Sequence, residues 1–317
     1  MPLVPDSSYR PPPWLRGAHV QTIFPSLFRR VKRVTLLRER LELADGDFLD
    51  LEWSGKSCQR LAILSHGLEG NSDAAYIQSM AGALIAAGWD VLVWNFRGCG
   101  PELNRLISFY HSGATDDLDA VICHAIETYP AESIDLIGFS LGGNLTLKYL
   151  GEPRARSAKL RRAVAFSVPC DLADSSAKLS EPANRIYMKR FLRSLRQKLH
   201  RKDQLFPGEI DLADLAGIAN FQQFDDRFTA PLHGFRDAID YWTRSSCRQF
   251  LPAIEIPTLL VNALNDPFLG LKCFPYEEAA ESDCFYLETP ATGGHVGFPQ
   301  WGGSWANQRA IEFLQNA

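Results

Sequence analysis

The sequence predicts a single α/β domain over residues 1–317, with a mainly parallel sheet, helices on both faces and a helical insertion at 171–236. Three observations lead there. Short apolar runs alternate with helix-patterned stretches through most of the chain, as in a parallel sheet wrapped by crossover helices. One of those runs ends in a glycine-flanked turn and passes directly into a helix. One charged, helix-patterned interval breaks the alternation between two strands.

Taken in order, Leu41-Glu-Leu and Phe48-Leu-Asp-Leu-Glu-Trp53 alternate in polarity around Asp45-Gly46, which reads as an antiparallel hairpin at one edge of the sheet. Leu61-Ala-Ile-Leu64 is a buried strand running into Ser65-His66-Gly67. A helix is expected over 74–87, stopping at Gly88, and a strand follows around Val91-Leu-Val-Trp94. Thr115-Asp116-Asp117 is expected to cap a helix running to about Tyr129, since hydroxyls and carboxylates suit a helix N-terminus. A strand at 134–138 and a helix at 141–150 come next, then strands at 162–168, 258–262 and 285–287 and a helix at 304–314. The interval 171–236, with Pro182 and Pro207 as punctuation, is expected to cap the C-terminal edge of the sheet, where ligands bind in open α/β folds.

Composition bounds the function. Hydrophobic residues make up 46% and charged residues 22%, ordinary values for a soluble globular chain. A chain this long can bury a core without disulfides or metals. The formal net charge of −4 supplies no field to recruit nucleic acid, so no nucleic-acid partner is expected. Seven scattered cysteines, an odd number with no C-x-x-C pair, point to a reduced, cytoplasmic setting. Residues 1–14 are polar and proline-rich, so no secretory signal is expected, and no uninterrupted apolar run reaches the ~18 residues of a transmembrane helix. H-E-x-x-H, clustered Cys/His, EF-hand, Walker A and G-x-G-x-x-G patterns are all missing, so neither metal nor cofactor is expected.

The chemistry centres on Gly138-Phe139-Ser140-Leu141-Gly142. A sharp strand-to-helix turn pushes the serine hydroxyl out of the sheet, and glycines two residues either side remove side chains that would collide. A bare G-x-S-x-G arises by chance in roughly one in ten chains of this length, so its partners matter. Serine is a weak nucleophile that needs a base, and the base needs an orienting acid, in the chain order Ser, Asp or Glu, His. His295, in Gly293-Gly294-His295-Val296-Gly297, is the candidate base, because a small-residue loop lets the ring approach the serine. His233 is read as structural. Asp266, in Asn265-Asp266-Pro267 after a strand, is the candidate acid, though the same residues suit an Asx turn. The backbone amides of Leu68 and Leu141 are the expected oxyanion donors. His66 is read as shaping its loop, Arg97 as lining a pocket or holding a turn, and Cys99 as no nucleophile. Residues 185–202 form a basic amphipathic helix: Arg185, Lys189, Arg190, Arg193, Arg196, Lys198, Arg201 and Lys202 oppose Met188, Phe191, Leu192, Leu195 and Leu199. It reads either as an insertion helix with a solvated face or as a surface for peripheral contact with anionic lipid.

These residues carry a resemblance. The sequence resembles the YheT-like branch of α/β-hydrolases, related to the eukaryotic alpha/beta-hydrolase-domain lipases. The likeness runs from Trp14-Leu-Arg-Gly-Ala-His19-Val-Gln21-Thr22 through Ser65-His66-Gly67-Leu68-Glu69-Gly70, Trp94-Asn-Phe-Arg97-Gly-Cys-Gly100 and Gly138-Phe-Ser140-Leu-Gly-Gly-Asn144. It continues through Phe224-Asp225-Asp226 and Thr229-Ala-Pro-Leu-His-Gly-Phe235 to Asn265-Asp266-Pro267 and Gly293-Gly294-His295-Val-Gly-Phe298. The resemblance implies an α/β-hydrolase fold, a Ser140–His295–Asp266 triad and cleavage of small-molecule or lipid carboxylic esters. The eukaryotic members carry an N-terminal membrane anchor; this chain shows none and looks like the soluble bacterial form. An amidase or peptidase on the same scaffold, or a non-catalytic binding protein, stays open.

Overall fold

A computed structural model describes residues 3–29 and 31–316. Apart from a small hairpin of Pro299–Gln300 and Gly303–Ser304, its strands are β1 (Leu3–Val4), β2 (Leu37–Glu42), β3 (Phe48–Trp53), β4 (Arg60–Ser65), β5 (Asp90–Asn95), β6 (Ser133–Phe139), β7 (Leu160–Phe166), β8 (Thr258–Val261) and β9 (Phe285–Glu288). They form one sheet in the order β1-β9-β8-β7-β6-β4-β5-β3-β2. The pairings from β5 through β4, β6, β7, β8 and β9 to β1 are parallel, while β2–β3 and β3–β5 are antiparallel. The Asp45-Gly46 hairpin thus lies at one edge, as its alternation predicts.

Period-two alternation in the central strands separates two cores. Leu61, Ile63, Leu92, Trp94 and Leu136 meet the helices α3 (Thr115–Thr128) and α4 (Leu141–Gly151). Ala62, Leu64, Val91, Val93 and Ile137 meet α2 (Ala75–Ala86) and the terminal helix Trp305–Asn316. Because the central strands are parallel, the loops that follow β4, β6, β7, β8 and β9 all leave at the same end.

Three features differ from the sequence expectation. Thr115 is the first helical residue of α3 and does not cap it; Ala114 takes the cap position without a side-chain bond. The polar groups there serve arginines instead: Asp117 grips Arg97 at 2.7 Å and Asp116 grips Arg154 at 3.0 Å. An eleven-residue helix, α1 (Ala18–Phe28), occupies the N-terminal region that read only as polar and proline-rich. Between β7 and β8 the chain leaves the sheet through α5 (Leu172–Leu179), α6 (Arg185–Leu205) and several short helical pieces. This excursion runs past residue 236 through the helix Ala238–Ser245 and the turn Arg248–Ala253. On α6 the predicted stripe is buried at Met188, Leu192, Leu195 and Leu199 and half-buried at Phe191, but Lys198 and Lys202 fall on the same side and are buried too. Helical period explains this, since 195, 198, 199 and 202 share one face. Among the described residues no helix is long and apolar enough to cross a membrane.

Candidate active site

The turn after β6 sets the first side chain. Ser140 has φ 53°, a conformation that costs a residue with a Cβ on the order of 1–3 kcal/mol and persists only where its surroundings impose it. Those surroundings are backbone. A Cβ at Gly142 would collide with the carbonyls of Ser65 and His66, and one at Gly138 would lie 2.6 Å from the Gly142 carbonyl. The glycines let the elbow nest against the end of β4, which holds the serine at the mouth of α4.

The structure brings the three distant side chains together. His295 Nε2 lies 2.9 Å from Ser140 Oγ. His295 Nδ1 lies 2.9 and 3.1 Å from the two oxygens of Asp266. With the ring proton on Nδ1 the carboxylate accepts it, and Nε2 is free to accept from the serine hydroxyl. The Asp266 side chain is fully buried and the imidazole only 10% exposed. Asp266 also accepts from the Phe268 amide at 2.9 Å, the local turn that its Asn-Asp-Pro sequence suggests. Phe268 in turn lies against the imidazole, ring centroids 4.1 Å apart.

The amides assigned as oxyanion donors border the same pocket, which is lined by Leu68, Ser140, Leu141 and His295. Leu141 is the first residue of α4, where a helix leaves its N–H unpaired. Leu68 makes no backbone hydrogen bond among the described residues, whereas its neighbours are tied: Gly67 N–H donates to the Tyr76 hydroxyl and Glu69 N–H to the Tyr110 hydroxyl, both at 2.8 Å. His66 shapes this loop. Its Nδ1 bonds the Gly67 carbonyl at 2.8 Å, and its Nε2 accepts from the Phe96 amide at 3.2 Å. Only a neutral ring protonated on Nδ1 satisfies both, and burial pushes its pKa down to about 4.

Other groups singled out in the sequence fall into structural positions. Arg97 ties Asp45, Asp47 and Asp117 together and so fastens the β2–β3 turn to α3. Cys99 is half-buried, and desolvation pushes its thiol up to about 11. His233 packs edge-on to Phe109 and beside His111. Among the described residues no cluster of His, Cys, Asp or Glu is arranged to hold a metal ion.

The sequence reading missed what holds the His295 loop. Thr22 on α1 accepts from the His295 amide through its hydroxyl at 2.9 Å, and Gln21 accepts from Gly293 at 3.0 Å through its side-chain carbonyl. Ser167, after β7, accepts from Val296 at 2.8 Å. Pro25 inside α1 has no N–H, which frees the Gln21 carbonyl, and Gly297 packs so tightly against that carbonyl that no Cβ would fit. The pattern Gly-Ala-His19-Val-Gln21-Thr22 was the available signal, but nothing in it says which distant loop it touches. A second missed group is Glu69. Its carboxylate accepts from Lys198 at 2.5 Å, Ser194 at 2.7 Å and Tyr110 at 2.9 Å, joining the loop after β4 to α6. Lys198 beside it holds the Glu69 carboxyl below its usual range despite burial.

Comparison with known proteins gives the family. Residues 63–300 match the family described as alpha/beta hydrolase fold. The chain belongs to the α/β-hydrolases. Within them it belongs with the YheT-like, esterase- and lipase-like proteins. It is 36% identical to YheT of Escherichia coli (strain K12), a protein with a provisional esterase name, over 89% of this chain and 84% of that one. It is 30% identical to phospholipase ABHD3 of Mus musculus, over 96% of this chain and 76% of the relative. Among solved structures, the Pyrococcus furiosus esterase Pf2001 superposes on this α/β-hydrolase with a TM-score of 0.60 at 18% identity, over 90% of this chain and 98% of that one. At that identity the likeness speaks for the fold alone.

Proposed function

We propose that this α/β-hydrolase cleaves carboxylic esters through an acyl-enzyme on Ser140. His295 takes the hydroxyl proton as Ser140 attacks the acyl carbonyl. Asp266 keeps the imidazole in the right tautomer and stabilises the imidazolium that forms. The amides of Leu68 and Leu141 donate to the oxyanion. His295 then gives its proton to the leaving alcohol, activates water and returns Ser140 to its free form. The observation that carries this reading is the unbroken hydrogen-bonded line from Asp266 through His295 to Ser140, ending in a pocket.

The substrate class follows from the pocket wall and the relatives. Leu172, Leu179, Phe191, Leu195, Phe221 and Phe268 give an apolar wall suited to an acyl group. The phospholipase name of one relative makes lipid esters the first class to test, with small-molecule esters beside them. We read 171–236 as a cap over this pocket, since α5 and α6 supply most of that wall. The exposed cations of α6, Arg185, Lys189, Arg190, Arg193 and Arg201, would supply charge for peripheral contact with anionic lipid.

The test is turnover of p-nitrophenyl esters alongside matched amides. Ser140→Ala is expected to lower ester turnover by on the order of 10³-fold or more. Unchanged turnover in that variant would remove the assignment, and a preference for amides would move the chain to the amidase reading.

A further inference from the structure

Helix α1 has two unlike faces. Its inner face, Gln21, Thr22 and Pro25, is buried against the loop that carries His295. Its outer face is apolar and bare: Leu27 is 66% and Phe28 64% exposed, and beside the helix Trp14 is 56% and Trp301 69% exposed. Scattered exposed apolar residues are normal on a protein surface and call for no explanation. These are not scattered. Trp301 meets Trp14 at 6.2 Å between ring centroids, Trp14 meets Phe24 at 5.2 Å, and Phe24 meets Phe28 at 5.1 Å. Four rings therefore run in an unbroken row along the outside of the element that supports the candidate base.

The stretch that carries three of these four rings bears charge of one sign. Residues 11–38 contain Arg16, Arg29, Arg30, Lys32, Arg33 and Arg38 and no carboxylate, in a chain whose net charge is −4. Arg33 and Arg38 take Asp73 and Glu52 from elsewhere, and Arg29 donates to the Gly297 carbonyl. Arg16 and Lys32 are exposed and make no ion pair among the described residues. Tryptophan and phenylalanine at a surface, carried on a stretch whose own charges are all cationic, match the chemistry of an anionic lipid–water boundary, where rings enter the headgroup layer and cations meet lipid phosphates. The flank of α6 offers cations but, of apolar side chains, mainly Ile186 and Leu205.

We propose that the aromatic row Trp301–Trp14–Phe24–Phe28 docks this chain on the surface of an anionic lipid bilayer. Docking there sets the helix that backs the His295 loop against the membrane. Docking itself stands apart from the hydrolase reading and is measured without turnover.

The experiment uses the full chain carrying Ser140→Ala, sedimented with vesicles of phosphatidylcholine alone and of phosphatidylcholine mixed with phosphatidylglycerol, at low and high salt. Sedimentation with the mixed vesicles, weakened by salt, is expected. Adding Trp14→Ser and Phe28→Ser is expected to lower the bound fraction at least about tenfold, because each removes an inserted ring. Both side chains are largely exposed, so the doubly substituted chain with Ser140 intact should keep its unfolding temperature and its turnover of a soluble short-chain ester. No sedimentation of the parent chain, or equal sedimentation of the variant, overturns the proposal. Light scattering that shows a dimer which the two substitutions convert to a monomer also overturns it, by assigning the face to a second copy.

Discussion

At the scale of single residues, the neighbourhood of the elbow depends on histidines that stay neutral. Burial pushes both His66 and His233 down to about 4. A histidine whose folded pKa lies below its free value is protonated first in the unfolded chain as pH falls. Its contribution is therefore complete above about pH 6.5 and is lost progressively toward pH 4, by up to about 3 kcal/mol each. Asp225 works against this trend, since burial pushes its carboxyl up to about 7 and its ionisation costs stability as pH rises from about 4 to 7. Single substitutions separate the two. His233 has a buried Nε2 with no partner and lies edge-on to Phe109, so His233→Phe removes the titration and keeps a ring there. Urea unfolding should show the variant gaining on the parent between pH 6.5 and 4.5; a constant gap across that range would mean that His233 titrates normally.

At the scale of elements, the loop after β4 and helix α6 are joined by one buried ion pair. Glu69 and Lys198 are 9% and 6% exposed, and Glu69 sits next to the amide proposed to hold the oxyanion, at φ 53°. Lys198→Met leaves a buried carboxylate without its cation, a change that costs about 3–5 kcal/mol. Urea unfolding should register that loss, and ester turnover should fall with it. Pairing it with Glu69→Gln should restore most of the stability; a Lys198→Met chain as stable as the parent would show that the pair does not fasten the loop. This pair also marks a limit of legibility. The G-x-S-x-G elbow could be read from the sequence because a tight turn depends on residues within two positions of the serine. Lys198 read as a solvent-facing charge, because helix period alone cannot tell a cation that shares the buried stripe from one at its border. Thr115 misread as a cap for a similar reason: its hydroxyl had a partner in Arg154, far along the chain.

At the scale of the whole molecule, the parallel sheet gathers five loops at one end, and residues 140, 266 and 295 meet there although 155 positions separate the serine from the histidine. The mainly parallel sheet, the edge hairpin and the helices on both faces could be read from alternation and breaker residues, though the order of strands in the sheet could not. The role of α1 could not, because its partner loop lies 273 positions away between Thr22 and His295, and only the folded chain brings them together. The excursion between β7 and β8 was legible as helical, since Pro182 and Pro207 punctuate charged, helix-patterned segments, and the helix Ala238–Ser245 after them carries the same charged, amphipathic pattern. The central claim, that this fold assembles a nucleophilic serine, is tested most directly by intact-mass analysis after treatment with a fluorophosphonate. The account predicts a single adduct on Ser140, absent from Ser140→Ala and much slower to form in His295→Ala. An unlabelled parent chain that still hydrolyses esters, or an adduct on another residue, would contradict it.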